Sequence, residues 1–121
     1  MLIRKLKDCK EIIAGDSTKL RELLHPERDY KFFSNYSLAY ARLSTGEKSD
    51  NHLLKSDEAY YILEGKGEMT IDDESAFVEK GDTIEIPPNA IQSIKNIGDK
   101  DLEFLCIVNP AWKKEDEEIL E

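Results

Sequence analysis

The chain has 121 residues, a length that suits one domain able to bury roughly two thirds of the surface its unfolded form exposes. Its 26 acidic and 17 basic side chains give a formal net charge of -9. Because such a surface repels polyanions, we expect no nucleic-acid partner. No apolar run reaches the length of a membrane span or of a signal peptide, so neither membrane association nor export is expected.

The two cysteines, Cys9 and Cys106, do not suggest a disulfide framework. Cys9 lies in a charged N-terminal segment, and Cys106 lies in the apolar run "FLCIV". No base or cation neighbours Cys106, so we interpret it as a packing residue rather than a nucleophile. Reduced thiols without an export signal predict a cytoplasmic protein.

Residues 1–35 are interpreted as N-terminal strands or a short helix. In "DSTKLRELLHP", Asp16 resembles a helix N-cap, and the following residues are good helix formers up to Pro26. The family resemblance given below favours a strand instead, and a strand is our prediction. His25 has no recognisable partner, so we predict that it lies on the surface.

From residue 36 to about residue 110 the chain alternates short β-type runs with turn residues, which is typical of an all-β barrel or sandwich. Strand periodicity places Glu58, Tyr60 and Ile62 on one face of their strand. The same periodicity makes Gln92 and Ile94 point inward. These positions therefore share the predicted interior.

Tyr61 and Leu63 lie on the opposite face of the strand that carries Glu58, and that face is also apolar. A small barrel has only one interior, so we predict that a second copy of the chain covers this face in a homodimer. Residues 111–121, "AWKKEDEEILE", are predicted to be an acidic tail with solvated charges. This tail is expected to form a short helix that packs outside the barrel through Trp112.

Two motifs resemble those of the cupin superfamily. The first motif has a glycine, two histidines, a glutamate and a closing glycine; Gly46, His52, Glu58 and Gly65 match it, and Leu54 replaces the second histidine. In the second motif Gly81, Pro87 and Asn96 match, whereas Asn89 replaces a glycine and Gln92 replaces the histidine. Both motifs lie within residues 36–110 and in β-patterned sequence.

The resemblance implies an antiparallel double-stranded β-helix, or jelly-roll barrel, that is typically homodimeric. It also implies a divalent metal, such as zinc, manganese, nickel or iron, held by the motif histidines and glutamate. Because Leu54 and Gln92 replace two imidazoles, we expect only a weak site at His52, Glu58 and Gln92. We prefer to a tight metal site the interpretation of His52 as a pocket histidine that is hydrogen-bonded to Glu58 or Gln92.

The candidate ligand pocket consists of His52, Leu54, Glu58, Tyr60 and Gln92. His52 and Glu58 are the candidates for acid–base catalysis, although Glu58 has an alternative role as an anchor for His52. Tyr60 follows the inward periodicity and is interpreted as a core residue in preference to a pocket residue.

Two further positions have open interpretations. Asn96 is interpreted as a turn residue. Arg42 is interpreted as an exposed strand cation; if it pointed inward, it would favour an anionic ligand.

Three classes of function fit these observations. The first is a protein that binds a small molecule in the barrel and has a degenerate metal site. The second is an enzyme, either a metal-dependent isomerase, epimerase or dioxygenase or a metal-free acid–base catalyst. The third is a structural or regulatory subunit. Fold does not decide among them.

Overall fold

The computed structural model describes residues 1–120, and these residues form eleven strands and two single-turn 3-10 helices. The helical turns are Leu6–Asp8 and Lys114–Asp116. The strands are β1 (Glu11–Ile13), β2 (Lys19–Leu24), β3 (Ser37–Leu43), β4 (His52–Leu54), β5 (Asp57–Glu64), β6 (Lys66–Ile71), β7 (Glu74–Glu79), β8 (Thr83–Ile86), β9 (Gln92–Asn96), β10 (Leu102–Asn109) and β11 (Glu117–Ile119).

The strands form two antiparallel sheets that enclose the interior. The six-stranded sheet has the order β1-β2-β3-β10-β5-β8, and the five-stranded sheet has the order β11-β4-β9-β6-β7. This architecture confirms the predicted all-β jelly-roll barrel. Lys19–Leu24 is a strand, as predicted, because it pairs with β1 on one side and β3 on the other. These two ladders outweigh the local helix propensity of the segment.

One half of the barrel interior, which we call the packed half, is filled by apolar side chains. Its buried members are Ala41, Leu43, Tyr60, Ile62, Met69, Ile86, Ala90, Ile94, Leu102, Phe104 and Cys106. Gly65 closes the turn beside this cluster with φ +93°, and a Cβ there would lie 2.7 Å from the carbonyl oxygen of Asp101. Both features require glycine, which explains the last position of the first motif.

The other half of the interior, which we call the hollow half, contains a cavity of about 490 Å³. It lies between the inner face of the six-stranded sheet and strands β4 and β11. Tyr60, Phe104 and Cys106 belong to both halves and form the boundary between them. The barrel is therefore packed at one end and open to a ligand at the other.

The C-terminal segment differs from its prediction. Only Lys114–Asp116 is helical, and Glu117–Ile119 pairs as β11 with β4. The exposed edge of β4 offers unpaired backbone groups, and these overcome the helix propensity of the acidic segment. Glu117 pairs with Leu54 and lines the cavity, so the prediction that all charges of this tail are solvated is wrong.

His25 also differs from its prediction, because it is only 1% exposed. Its Nδ1 accepts a hydrogen bond from the backbone N–H of Glu27 at 3.1 Å. Its Nε2–H therefore donates to the carbonyl oxygen of Trp112 at 2.8 Å. Both partners are backbone atoms from loops, which is why the sequence pattern did not identify them.

Asn96 is buried at the end of β9 rather than exposed in a turn. Its side-chain N–H groups donate to the carbonyl oxygens of Leu43 and Lys100, and its Oδ1 accepts from the backbone N–H of Gly98. Asn96 therefore fastens β9 to β3 and to the loop that leads into β10. Its role in the fold is structural.

On the outside of the six-stranded sheet, Arg42 forms an ion pair with Glu11 at 2.6 Å, so it points outward as expected for a strand cation. Tyr61 is 43% exposed and lies opposite Leu105 on β10. Within residues 1–120 no helix is long and apolar enough to cross a membrane.

Candidate functional site

The polar end of the cavity is assembled from both sheets. His52 on β4 lies directly opposite Gln92 on β9 in the antiparallel ladder, so the two sequence motifs meet across one sheet. Glu58 reaches the same region from β5 in the other sheet. His52, Leu54, Glu58 and Tyr60 all line the cavity, whereas Gln92 is buried behind it.

Gln92 connects two of these side chains. The hydroxyl of Tyr60 donates to Oε1 of Gln92 at 2.9 Å, and Nε2 of Gln92 donates to Oε1 of Glu58 at 2.9 Å. In this arrangement the amide oxygen of Gln92 accepts from Tyr60, and the amide nitrogen donates to Glu58. Gln92 is thereby committed to positioning Glu58, and its oxygen is already occupied.

Glu58 is 7% exposed, and its carboxyl group faces the cavity. Burial raises the pKa of Glu58 to about 8, the hydrogen bond from Gln92 opposes this shift, and the nearby carboxyls of Asp16 and Glu117 add to it. At neutral pH the group is therefore mainly a neutral acid. Its second oxygen, Oε2, has no hydrogen-bond partner within residues 1–120.

His52 has different partners from those predicted. Its Nδ1–H donates to the carbonyl oxygen of Asp50 at 2.7 Å, and its Nε2 lies 3.4 Å from Oδ2 of Asp16. The predicted hydrogen bond to Glu58 or Gln92 is wrong, because the Gln92 amide is already occupied and the chain before β4 presents the Asp50 carbonyl instead. His52 and Asp16 form the second polar pair of the cavity.

The sequence indicates only a helix N-cap role for Asp16, whereas the structure places it in a turn beside His52. Its Oδ1 accepts from the backbone N–H of Thr18 at 3.1 Å and from the Thr18 hydroxyl at 2.7 Å. This Asx-type turn connects β1 to β2 and holds Oδ2 toward His52. The signal in the sequence was the "GDST" turn, which favours a sharp connection as well as a helix start.

Glu117 is the other site residue that the sequence did not reveal. Burial raises its pKa, Asp16 adds to the rise, and His52 and a hydrogen bond from the side chain of Trp112 oppose it. Gly15 leaves room for this carboxylate, since a Cβ at Gly15 would lie 2.6 Å from Oε1 of Glu117. Three carboxyl groups and one imidazole therefore share the polar end.

The rest of the cavity wall is mainly apolar. It is formed by Ile12, Leu20, Ala39, Leu54, Phe104, Val108 and Trp112, among others. Three basic side chains line the exposed side of the cavity: Arg4, Lys10 and Arg28. Arg28 is bound by both carboxylate oxygens of Glu22, and Arg4 lies over the ring of Tyr30, 4.4 Å from its centroid.

These residues do not fit a divalent metal. Leu54 offers no donor atom, and the oxygen of Gln92 is held by Tyr60. A metal ion would also have to displace the proton that burial keeps on Glu58, since metal-binding carboxylates are ionised. In the described chain, 1–120, no three histidine, cysteine, aspartate or glutamate side chains converge as a metal-binding group. The site is better suited to hydrogen bonding and proton transfer.

Comparison with known proteins identifies the family. The chain matches the cupin domain over residues 39–108. It is 48% identical over 113 residues to the uncharacterized protein MJ1618 of Methanocaldococcus jannaschii, an alignment that covers 93% of this chain and 89% of that protein.

Solved structures share the fold. The plu4264 protein of Photorhabdus luminescens has a TM-score of 0.77 and 26% identity, over 96% of this chain and 91% of that one. A predicted oxalate decarboxylase of Thermotoga maritima, tm1287, has a TM-score of 0.76 and 22% identity, over 88% and 97%. Pac13, a nucleoside dehydratase, has a TM-score of 0.80 and 16% identity, over 100% and 92%. Because residues 39–108 match the family and His52 and Gln92 of the two motifs pair on neighbouring strands, the chain belongs to the cupin-domain family.

Proposed function

We propose that the protein binds a small organic molecule in the hollow half of its barrel and that this binding requires no metal. The observation that carries the proposal is the cavity of about 490 Å³, whose wall is apolar and whose polar groups gather at one end. Ligand sites typically combine such a wall with a few convergent polar groups that orient the ligand. Glu58 and the His52–Asp16 pair are those groups here.

The alternative functions have less support. Isomerase, epimerase or dioxygenase chemistry through a metal lacks a suitable donor set, as described above. A purely structural barrel gains nothing from an unfilled interior, because cores pack densely and cavities destabilise them. Variants of Pac13 from Streptomyces, which has this fold, were solved with uridine, and this supports small-molecule binding as the function to test first.

A cavity-filling substitution tests the proposal. Ala39 lines the cavity from β3, and Ala39→Phe would place an aromatic ring inside it. Ala76→Phe adds the same ring on exposed β7 and is the matched control. We expect mass spectrometry of the purified wild type and control to detect a carried molecule that Ala39→Phe lacks.

A small-molecule library screened by thermal melting gives the second readout. Compounds that stabilise the wild type and Ala76→Phe are expected to leave a folded Ala39→Phe protein unshifted. Equal shifts in all three proteins would place the binding site elsewhere and contradict the proposal.

We also propose a homodimer that buries the outer face of the six-stranded sheet. Its support is the exposed apolar pair Tyr61 and Ile107, at 43% and 41%, on neighbouring strands β5 and β10. Light scattering at micromolar concentration is expected to give twice the chain mass of 13.9 kDa. Tyr61→Glu with Ile107→Glu should give the monomer, whereas Phe77→Glu, on exposed β7, should not. A monomeric wild type would contradict the proposal.

We also propose that the protein is located in the cytoplasm. The support for this location is that Cys9 and Cys106 are both free and buried, which suits a reducing compartment. Cell fractionation tests this location directly, and recovery in an exported fraction would contradict it.

A further inference from the structure

The polar end of the cavity has a charge pattern that selects among ligands. Asp16, Glu58 and Glu117 bring three carboxyl groups to it, and His52 is the one basic side chain among them. Arg4, Lys10 and Arg28 line the cavity only from its exposed side. Arg28 is already paired with Glu22. The interior end is therefore acidic, and the lysines and arginines lie outside it.

His52 and Asp16 can satisfy each other. Because Nδ1–H of His52 donates to the Asp50 carbonyl, Nε2 is the atom that faces Oδ2 of Asp16 at 3.4 Å. This contact places the one imidazole of the polar end beside Asp16. Within residues 1–120, Glu58 and Glu117 have no lysine or arginine beside them.

Glu58 and Glu117 differ in how far the chain satisfies them. Glu58 is more than nine-tenths buried, yet its Oε2 faces the cavity with no hydrogen-bond partner within the described residues 1–120. Glu117 is half-buried, and the side chain of Trp112 opposes the rise in its pKa. A buried carboxyl aimed into a cavity is stabilised when a donor or a cation from a ligand meets it.

We propose that the ligand of this cavity is a small organic cation: a protonated primary amine joined to an apolar or aromatic body, with its ammonium group between Glu58 and Glu117. The inference rests on the proposed small-molecule function and specifies its ligand class. The ammonium donates N–H bonds to the two carboxyl groups, and the body packs against the apolar wall. Trp112, which lines the cavity beside Glu117, adds a π face that attracts cations.

Binding of this cation is coupled to release of a proton. In the free protein Glu58 is mainly protonated at neutral pH, and a bound ammonium favours the carboxylate, so the carboxyl proton leaves to solvent as the amine binds. The titratable groups that face Glu58 are Asp16, His52, Tyr60, Cys106 and Glu117. None of these is a lysine or arginine that would ionise Glu58 beforehand.

Three probes of matched shape test the ligand class. Phenethylamine carries the cation, phenethyl alcohol is its neutral counterpart, and hydrocinnamate is its anionic counterpart. Isothermal titration calorimetry with wild-type protein at neutral pH is expected to show the amine binding at least about tenfold more tightly than the alcohol. Hydrocinnamate is expected not to bind.

Proton release is measured by repeating the amine titration in two buffers with different ionisation enthalpies. The apparent binding enthalpy should differ between them by an amount that corresponds to a fraction of one proton released. Affinity for the amine should rise with pH up to about 8, where Glu58 is ionised without help. It should then hold until the amine itself deprotonates, near the pKa of about 10 that a lysine side chain shows.

Three variants distinguish specific binding of the ammonium group from non-specific binding. Glu58→Gln should abolish proton release, and Glu117→Gln should reduce the preference for amine over alcohol about tenfold. Glu118→Gln lies on the same strand, points to solvent and removes the same charge, so it is the matched control and should behave as wild type. Circular dichroism confirms that each variant is folded.

The outcomes are distinct for the ligand class and for the cavity function. Equal or tighter binding of the alcohol or the acid, with loss of that binding in Ala39→Phe, overturns the cation and keeps the cavity site. If the amine does not bind, the proposal of a cationic ligand is overturned. Mass spectrometry of the molecule carried by wild type and Ala39→Phe then tests the small-molecule function by itself. If Glu118→Gln weakens amine binding as much as Glu117→Gln does, the effect is one of net charge, and the proposal is overturned.

Discussion

The packed half and the hollow half of the barrel use the same strands for opposite purposes. On β5, Ile62 is fully buried among apolar neighbours, while Glu58, four residues earlier on the same face, borders the cavity. On β3, Leu43 fills the core, whereas Ala39 leaves space. The comparison teaches that strand alternation fixes which side chains face inward, and side-chain volume along each strand decides whether the interior is filled.

The largest effect should come from the same truncation made in each half. Leu43→Ala removes a buried side chain from the packed half and should cost roughly 3 to 5 kcal/mol of unfolding free energy, because it adds a new cavity. Leu54→Ala enlarges a space that already exists, so only the transfer term, about 2 kcal/mol, should be lost. Urea melts of both variants measure the difference.

Both substitutions remove the same atoms from buried positions, so each serves as the control for the other. Equal losses of stability would mean that Leu54 is packed as tightly as Leu43. The distinction between the two halves would then fail.

The next effect is a pH dependence that belongs to the hollow half. The pKa of Glu58 is about 8 in the folded chain against an ordinary value of 4.5, so between these values the folded state holds a proton that the unfolded state lacks. The contribution is complete below pH 4.5 and falls by roughly 1 kcal/mol per pH unit until it is lost near pH 8. Glu58→Gln removes this slope and keeps an oxygen for Gln92.

Urea melts of wild type and Glu58→Gln across this pH range isolate the contribution as a difference between two curves. We expect the variant to gain stability relative to wild type as the pH rises. Parallel curves would show that Glu58 is solvated and ionised, and the description of Glu58 as a buried neutral acid would be wrong.

The smallest effect concerns metal. We expect zinc to bind the wild type weakly and Leu54→His with Gln92→His much more tightly, because both positions project toward His52 and Glu58 and supply the missing imidazoles. At a metal concentration 100 times Kd, linkage would stabilise the double variant by about 2.7 kcal/mol. Competition with a coloured chelator measures both affinities.

The single variant Leu54→His is the control, since it leaves Gln92 bonded to Tyr60 and Glu58. Tight zinc binding by the wild type would contradict the description of Gln92 as fully committed. No gain in the double variant would mean that the hollow half lacks the geometry of a metal site as well as the donors.

Strand periodicity was sufficient to predict the inward positions. Glu58, Tyr60, Ile62 and Gln92 are all buried, as their alternation indicated. This succeeds because a one-residue error in register would turn every side chain of a strand to the wrong face, so the pattern is strongly constrained. The two degenerate motifs predicted one pocket around His52 and Gln92, and the structure pairs these residues on neighbouring strands, with Gln92 behind the cavity.

The partners of these residues were less accessible to sequence reasoning. His52 pairs with Asp16, which is 36 positions earlier in a turn, and Glu117 arrives on a three-residue strand at the far end of the chain. The imidazole of His25 is hydrogen-bonded only to backbone atoms of loops, the N–H of Glu27 and the carbonyl oxygen of Trp112. Such contacts depend on how loops and edge strands close the barrel. The alternation of side chains along one strand does not predict these long-range contacts.

The pairing of β11 with β4 has a consequence for local opening of the structure. This strand has three residues and is held on one side only, so it belongs to the part of the structure that opens most easily. It also carries Glu117 at the cavity and continues to Leu120, whose N–H donates to the carbonyl oxygen of Asn51 just before His52. We therefore expect amide hydrogen exchange along this short edge strand to slow when the proposed ligand binds in the cavity beside Glu117.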